Sequence, residues 1–147
     1  LKELIYLVTR DEARHVTFGV NYLEYIVKHL SAEEIEERAQ FAYEACVIMR
    51  ERLIATEVFA EFGWDVEVSR KHMLDSSVMA YFNKFLFTRI IPNLARIGLL
   101  TEKVRPKFEA LGILEYENLV SDGDIDWATL SQALYQDPQP QTTPKAA

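Results

Sequence analysis

The sequence predicts an all-α fold, and three observations predict it. Apolar residues over positions 1–30 recur at the 3.6-residue period of an amphipathic helix. Ser31-Ala32-Glu33-Glu34 reads as a capping box that opens a second long helix. The five Gly and five Pro of the 147 residues stand mostly between the periodic segments or in the tail, where they act as punctuation. The expected helices cover about 1–30, 32–62, 66–74, 76–91, 92–98 and 102–111. Together they make one helical bundle portion over 1–118, followed over 119–147 by a short helix and a disordered tail.

On a helical wheel, Leu1, Ile5, Val8, Glu12, His15, Gly19, Leu23, Ile26 and Leu30 share one narrow stripe. Leu4, Phe18 and Tyr22 widen it on one side, Val16 and Val20 on the other, while Arg10, Arg14, Asn21, Glu24 and Lys28 crowd the opposite face. The stripe should be the driest face of this helix, and a carboxylate and an imidazole stand at its centre. Gly19 costs about 1 kcal/mol against Ala within a helix, which makes room for a neighbouring helix its expected use. His29 meets the negative end of the helix dipole. Tyr6, Tyr22 and Tyr25 are read as packing.

The second helix is expected to run from the Ser31 cap to Phe62 and to stop at Gly63. It carries two apolar stripes, one with Ile35, Cys46 and Met49 and one with Phe41, Ile48 and Phe62, as a helix lying between two partners does. Cys46 reads as a small core residue. Asp65 caps a short helix, and Asp75-Ser76-Ser77 marks a break or a new cap. The next segment, with Tyr81, Phe82, Phe85, Leu86, Phe87, Ile90 and Ile91, is apolar almost all round and reads as central core or as a wall of a greasy pocket. Pro92 should end or kink it, and Gly98 should stop the piece that follows. A last helix runs from Thr101 to Leu111, with Pro106 as an irregularity; Lys103, Arg105 and Lys107 are read as a solvated basic face. Ser121-Asp122-Gly123-Asp124 is a turn, Asp126 to about Tyr135 a short helix, and the Pro- and Gln-rich remainder a solvated tail. His72 is read as a surface residue. The alternation of Asp122, Asp124 and Asp126 lacks the later Gly and Glu of a calcium loop.

Composition narrows the function. A net charge of −7 argues against a nucleic-acid partner held through phosphates. No run of about 18 apolar residues exists, so no membrane span is expected. The single Cys46 allows no intrachain disulfide, which favours a reducing, cytoplasmic compartment.

The chemistry gathers at Arg10-Asp11-Glu12-Ala13-Arg14-His15. Glu12 and His15, three residues apart, lie on one helix face. An unpaired buried carboxylate costs several kcal/mol or gives up its charge, so the pair needs a match. Two readings meet that need: a core pair bonded to neighbouring helices, or a metal site, because an inward Glu-x-x-His is a building unit of di-iron and di-manganese carboxylate bundles.

The string Arg-Asp-Glu-x-x-His, followed by an apolar run, resembles the late metal-binding helix of ferritin-like di-iron proteins. The likeness is nearest to the ribonucleotide reductase small subunit and its relatives, among them ligand-binding oxidases and aminobenzoate N-oxygenase-like enzymes. Asp11-Glu12-Ala13-Arg14-His15-Val16 is most like the oxygenase side. The strong motif spans about ten residues. The resemblance implies a ferritin-like, ribonucleotide-reductase-like helical bundle. It also implies that Glu12 and His15 bind iron and that Asp11 orients a ligand histidine of another helix pair. A full site takes Glu from two helices and Glu-x-x-His from two more. This sequence has one Glu-x-x-His and opens at Leu1 inside a helix, so it is expected to be the C-terminal part of a longer protein and inactive alone.

The implied function is a di-iron (or Mn/Fe) carboxylate oxidoreductase that uses O₂ on a small organic substrate. Its alternatives are a radical generator of the ribonucleotide reductase small-subunit type and a non-catalytic helical interaction module with a buried Glu–His pair. Iron storage is disfavoured by the long segment after the motif. A bundle cut through its site leaves apolar faces open, which predicts a homo-oligomer, a dimer or larger.

Overall fold

The computed structural model describes residues 1–125, and every described element is helical. The helix expected after Asp126 and the tail lie outside the described residues. Six α-helices follow in order: α1 (Lys2–Val27), α2 (Ala32–Arg52), α3 (Thr56–Glu61), α4 (Val66–Leu74), α5 (Ser77–Ile97) and α6 (Arg105–Ala110), with single 3₁₀ turns at Leu114–Tyr116 and Asp122–Asp124.

The cap chemistry is as the sequence predicts. The Ser31 hydroxyl accepts the Glu34 backbone N–H, and the Glu34 carboxylate accepts the Ser31 N–H at 2.8 Å. The Ser31 backbone N–H and the Ser31 hydroxyl both donate to the Glu34 carboxylate and hold it below its ordinary range. Asp65 caps α4 through Val68 at 3.0 Å, and the Ser76 hydroxyl accepts from Met79 at 3.1 Å to start α5. Gly98, at φ +89°, closes α5 with the backbone N–H of Leu99 reaching back to Leu94 at 2.9 Å. The His29 ring donates from Nδ1 to the Tyr25 carbonyl at 2.9 Å, at the α1 terminus where a His was expected to meet the dipole.

Three boundaries differ from expectation. The helix expected over 32–62 breaks after Arg52, and Ala55 takes the left-handed conformation at φ +49°. The break turns Ile54 and Phe59 inward, where they meet Met79 in a small second core flanked by Val66, Met73 and Leu74. A straight helix would not bring that pair to α5. The segments expected over 76–91 and 92–98 form one helix that passes through Pro92. Proline removes a backbone donor, but its ring is fully buried here, so packing offsets the lost bond. The helix expected from 102 begins at Arg105 instead, after a turn in which Thr101 accepts from Val104 and Arg105, and Pro106 sits in its first turn.

The main core joins Val20 of α1, Ala39 and Cys46 of α2, Phe87, Ile91 and Ile97 of α5, Val104, and Phe108 of α6. Phe87, Ile91 and Phe108 are wholly excluded from solvent. Tyr43 meets the Phe108 ring edge-on with centroids 5.6 Å apart. The α5 helix does not become core all round: Tyr81, Phe82 and Phe85 are exposed, as are Phe41 and Ile48 of α2. Each of these helices buries one apolar face and leaves another open, because the described residues supply a partner for only one. The expected basic face is only partly solvated: Arg105 pairs with Glu117 at 2.8 Å, while Lys107 lies 5.6 Å over the Tyr43 ring. No helix among the described residues is long and apolar enough to cross a membrane.

Candidate metal centre

Helix α1 positions the site, and its orientation is set by what it packs on. Thr17 donates to the Asp122 carbonyl at 2.9 Å, Glu24 accepts from Arg96 Nε at 2.9 Å, and a Cβ at Gly98 would stand 4.0 Å from the Val27 side chain. Arg89 also meets Asp122, at 3.1 Å. Contacts therefore advance in the same direction along α1 and α5, and the two helices run parallel.

The face of α1 that is used holds Thr17, Val20, Glu24 and Val27. It is turned about a third of a revolution from the stripe of Glu12 and His15. That stripe was expected to be the driest face, and in the described residues it is the open one. The Glu12 side chain is 69% exposed and that of His15 75%. Leu1, Ile5, Val8 and Leu23 along the same stripe are exposed too, and so are the flanking Leu4, Phe18 and Tyr22. Burying the stripe without added donors would strip water from a carboxylate and an imidazole for no return bond. The neighbouring face instead offers Val20 and Val27 to the core beside polar groups that are all matched.

His15 Nδ1 and Glu12 Oε2 are 3.7 Å apart, beyond hydrogen-bond range but close enough for an ion pair when the imidazole is protonated. Asp11, expected to orient a distant histidine, stands beside arginines of its own helix, 3.7 Å from Arg10 and 3.6 Å from Arg14. No cluster of three or more His, Cys, Asp or Glu able to hold a metal occurs among the described residues. Glu12 and His15 thus offer two donors, one hard carboxylate and one imidazole, on a surface that a further set of donors can reach. They fit part of a metal centre.

The other titratable candidates stay apart from this pair. His72 and Glu57 are exposed on α4 and α3. Cys46 is buried, and burial pushes its thiol up to about 11, which makes it a core residue and not a nucleophile. A cleft of about 490 Å³ is lined by Glu109, Glu115 and Glu117, and one of about 130 Å³ by Arg50, Asn83, Lys84 and Tyr116. Glu12 and His15 line neither.

Sequence reasoning missed a polar clasp. Ser121 and Asp122, read as a turn, are buried. Asp122 accepts from Arg89 and from Asn93 Nδ2, while Asn93 Oδ1 accepts from Ser121 and from the Asp122 backbone N–H. Arg96 gathers Glu24, Asn21 and Asp124. The only signal in the sequence was the run Arg89, Asn93, Arg96 at helical spacing, which does not reveal a partner 28 or more residues away in the chain. The clasp locks α1 to α5 and so fixes which way the stripe faces.

Compared with protein-family models, with curated proteins and with solved structures, the chain shows no match.

Proposed function

We propose that the chain is part of a di-iron (or Mn/Fe) carboxylate oxidoreductase of the ferritin-like, ribonucleotide-reductase-like class, acting with O₂ on a small organic substrate in a reducing, cytoplasmic setting. One observation carries the reading: a carboxylate and an imidazole stand 3.7 Å apart at the centre of an exposed, otherwise apolar helix face. A covering element over that face would exclude water from the pair and would have to bring donors to match it. Glu12 and His15 would hold the metal through a carboxylate oxygen and a ring nitrogen. Bound iron would supply the electrons for reaction with O₂. The chain's own part is to fix both donors on a helix that the clasp holds rigid and to surround them with Leu, Ile and Val side chains that keep water out once covered. Asp11, which lies 3.6 Å from Arg14, would exchange that contact for an incoming histidine under this reading.

A helical interaction module is the second reading, favoured by the number of exposed apolar side chains on α1, α2 and α5. Elemental analysis after anaerobic ferrous loading separates the two. Under the enzyme reading the protein takes up iron, and Glu12→Ala and His15→Ala each abolish the uptake. If no metal is retained by protein that is folded and assembled, Glu12 and His15 are a polar pair within a binding face, and the oxidoreductase reading falls.

A further inference from the structure

The smaller cleft, of about 130 Å³, lies where three elements meet: the last turn of α2, the N-terminal part of α5, and the loop that leads from α6 into the 3₁₀ turn at Leu114–Tyr116. Two cations line it, Arg50 from α2 and Lys84 from α5, with Asn83 beside Lys84 and Tyr116 on the loop side. Ala80, also in the lining, stands one turn before Asn83 and Lys84 on the same helix face. Its short side chain leaves room that a longer one would fill. The space takes about four waters, or an anion of about five heavy atoms.

Arg50 is held in place for a ligand. Its Nη1 donates to the Leu111 carbonyl at 3.2 Å, which ties the guanidinium to the loop. A guanidinium carries five N–H donors in a fixed fork, so most of them remain for an incoming group. The Lys84 ammonium adds a second positive charge and three donors. Asn83 Oδ1, buried in the wall, accepts no hydrogen bond from the described residues, so the amide can turn its nitrogen toward a ligand without breaking a bond at that oxygen. The acids of the same loop, Glu115 and Glu117, line the neighbouring cleft instead, where Arg105 matches Glu117 at 2.8 Å.

We infer that this cleft binds a phosphate group. Guanidinium, ammonium and amide converge on it from two helices. Donors from several directions suit a tetrahedral oxyanion better than a planar carboxylate, which presents its oxygens in one plane. Two cations match a phosphate charge near −2. The chain as a whole carries a net charge of −7, so its overall field repels an anion and the attraction is local to the cleft. Glu12 and His15 have no part in this site, and it stands or falls without the metal reading.

Equilibrium dialysis of the full chain against ³²P-labelled inorganic phosphate tests the site. Chelator is present to remove metal, and chloride holds the ionic strength constant. Circular dichroism checks that every variant is folded. The parent should bind one phosphate per chain with saturation. Lys84→Gln and Arg50→Gln should each weaken binding by about tenfold or more, the effect of losing one charge-assisted bond. Ala80→Leu keeps every charge but fills the space, and should abolish binding. Lys71→Gln removes an exposed charge on α4, outside the cleft, and should change nothing. Arg50→Gln also loses the Leu111 bond; should it fail to fold, Lys84→Gln and Ala80→Leu decide the matter. A folded parent with no saturable binding up to about 10 mM phosphate overturns the inference. So does binding that survives unchanged in Lys84→Gln or Ala80→Leu, or that Lys71→Gln weakens as much as Lys84→Gln does. Displacement of the label by glycerol 3-phosphate would show that the cleft takes the phosphate end of an ester; displacement by unlabelled phosphate alone would show that it takes the free ion.

Discussion

Asn93 and Asp122 hold each other by two bonds at once: the Asn93 amide donates to the Asp122 carboxylate at 2.8 Å, and its carbonyl oxygen accepts the Asp122 backbone N–H at 2.8 Å. The pair joins the C-terminal part of α5 to a loop 29 residues later, and the Asp122 carbonyl carries the link on to Thr17 of α1. A buried carboxylate is stable there because each of these groups has a partner.

Asn93→Ala should therefore cost about 2 kcal/mol, since it strands the Asp122 N–H and the Ser121 hydroxyl as well as removing one bond to a charged group. Asp122→Ala should cost a similar amount, and the double variant less than the sum of the two, because both act on one network. Urea denaturation followed by circular dichroism checks all three. Strict additivity would mean that the reciprocal bond carries no coupling.

Glu12→Ala and His15→Ala should leave unfolding of the metal-free monomer within about 0.5 kcal/mol of the parent, because both side chains are exposed and the Glu12–His15 contact is a surface ion pair. The same denaturation experiment at low protein concentration and with chelator present tests this. A loss of 2 kcal/mol or more, beyond the about 1 kcal/mol ceiling of a surface pair, would place the two residues in a contact that the described residues lack.

Glu24 gives a prediction at acid pH. Arg96 first, then Lys28, donates to its carboxylate and holds its ionisation below the ordinary 4.5. A carboxyl whose folded value is the lower one stabilises the fold above 4.5 and loses that contribution as pH falls through the folded value. Thermal melts of the parent should therefore steepen their decline below pH 4.5, and Glu24→Gln should flatten that decline while lowering the plateau near neutrality. Superimposable profiles would show that Arg96 gains nothing from Glu24.

Cys46 predicts the alkaline limb. Burial raises its thiol from 9.0 to about 11. A group with a raised folded value favours the fold fully below the unfolded value, and that preference is lost as pH rises through the folded one. Stability should fall between about pH 9 and 11, by at most about 3 kcal/mol, and Cys46→Ala should remove that part of the slope. A thiol-reactive dye should label Cys46 slowly in the native protein and at once in denaturant; rapid native labelling would contradict its burial.

The sequence by itself determined the helical class, the caps at Ser31, Asp65 and Ser76, the stop at Gly98 and the core place of Cys46. These follow from local periodicity and from side chains that bond their own backbone within four residues, so no distant partner is needed to read them. It also placed Glu12 and His15 side by side on one face of α1, which is a matter of helical spacing alone. Only the tertiary structure decided which face of α1 is buried. The wheel points to the stripe with the most apolar residues, but helices bury the face for which a partner exists, and a different one met Arg96 of α5 and the Asp122 that Arg89 and Asn93 hold. The break at Ala55 and the continuous run through Pro92 were decided in the same way, by Ile54, Phe59 and the proline ring finding room in a core that local sequence does not describe.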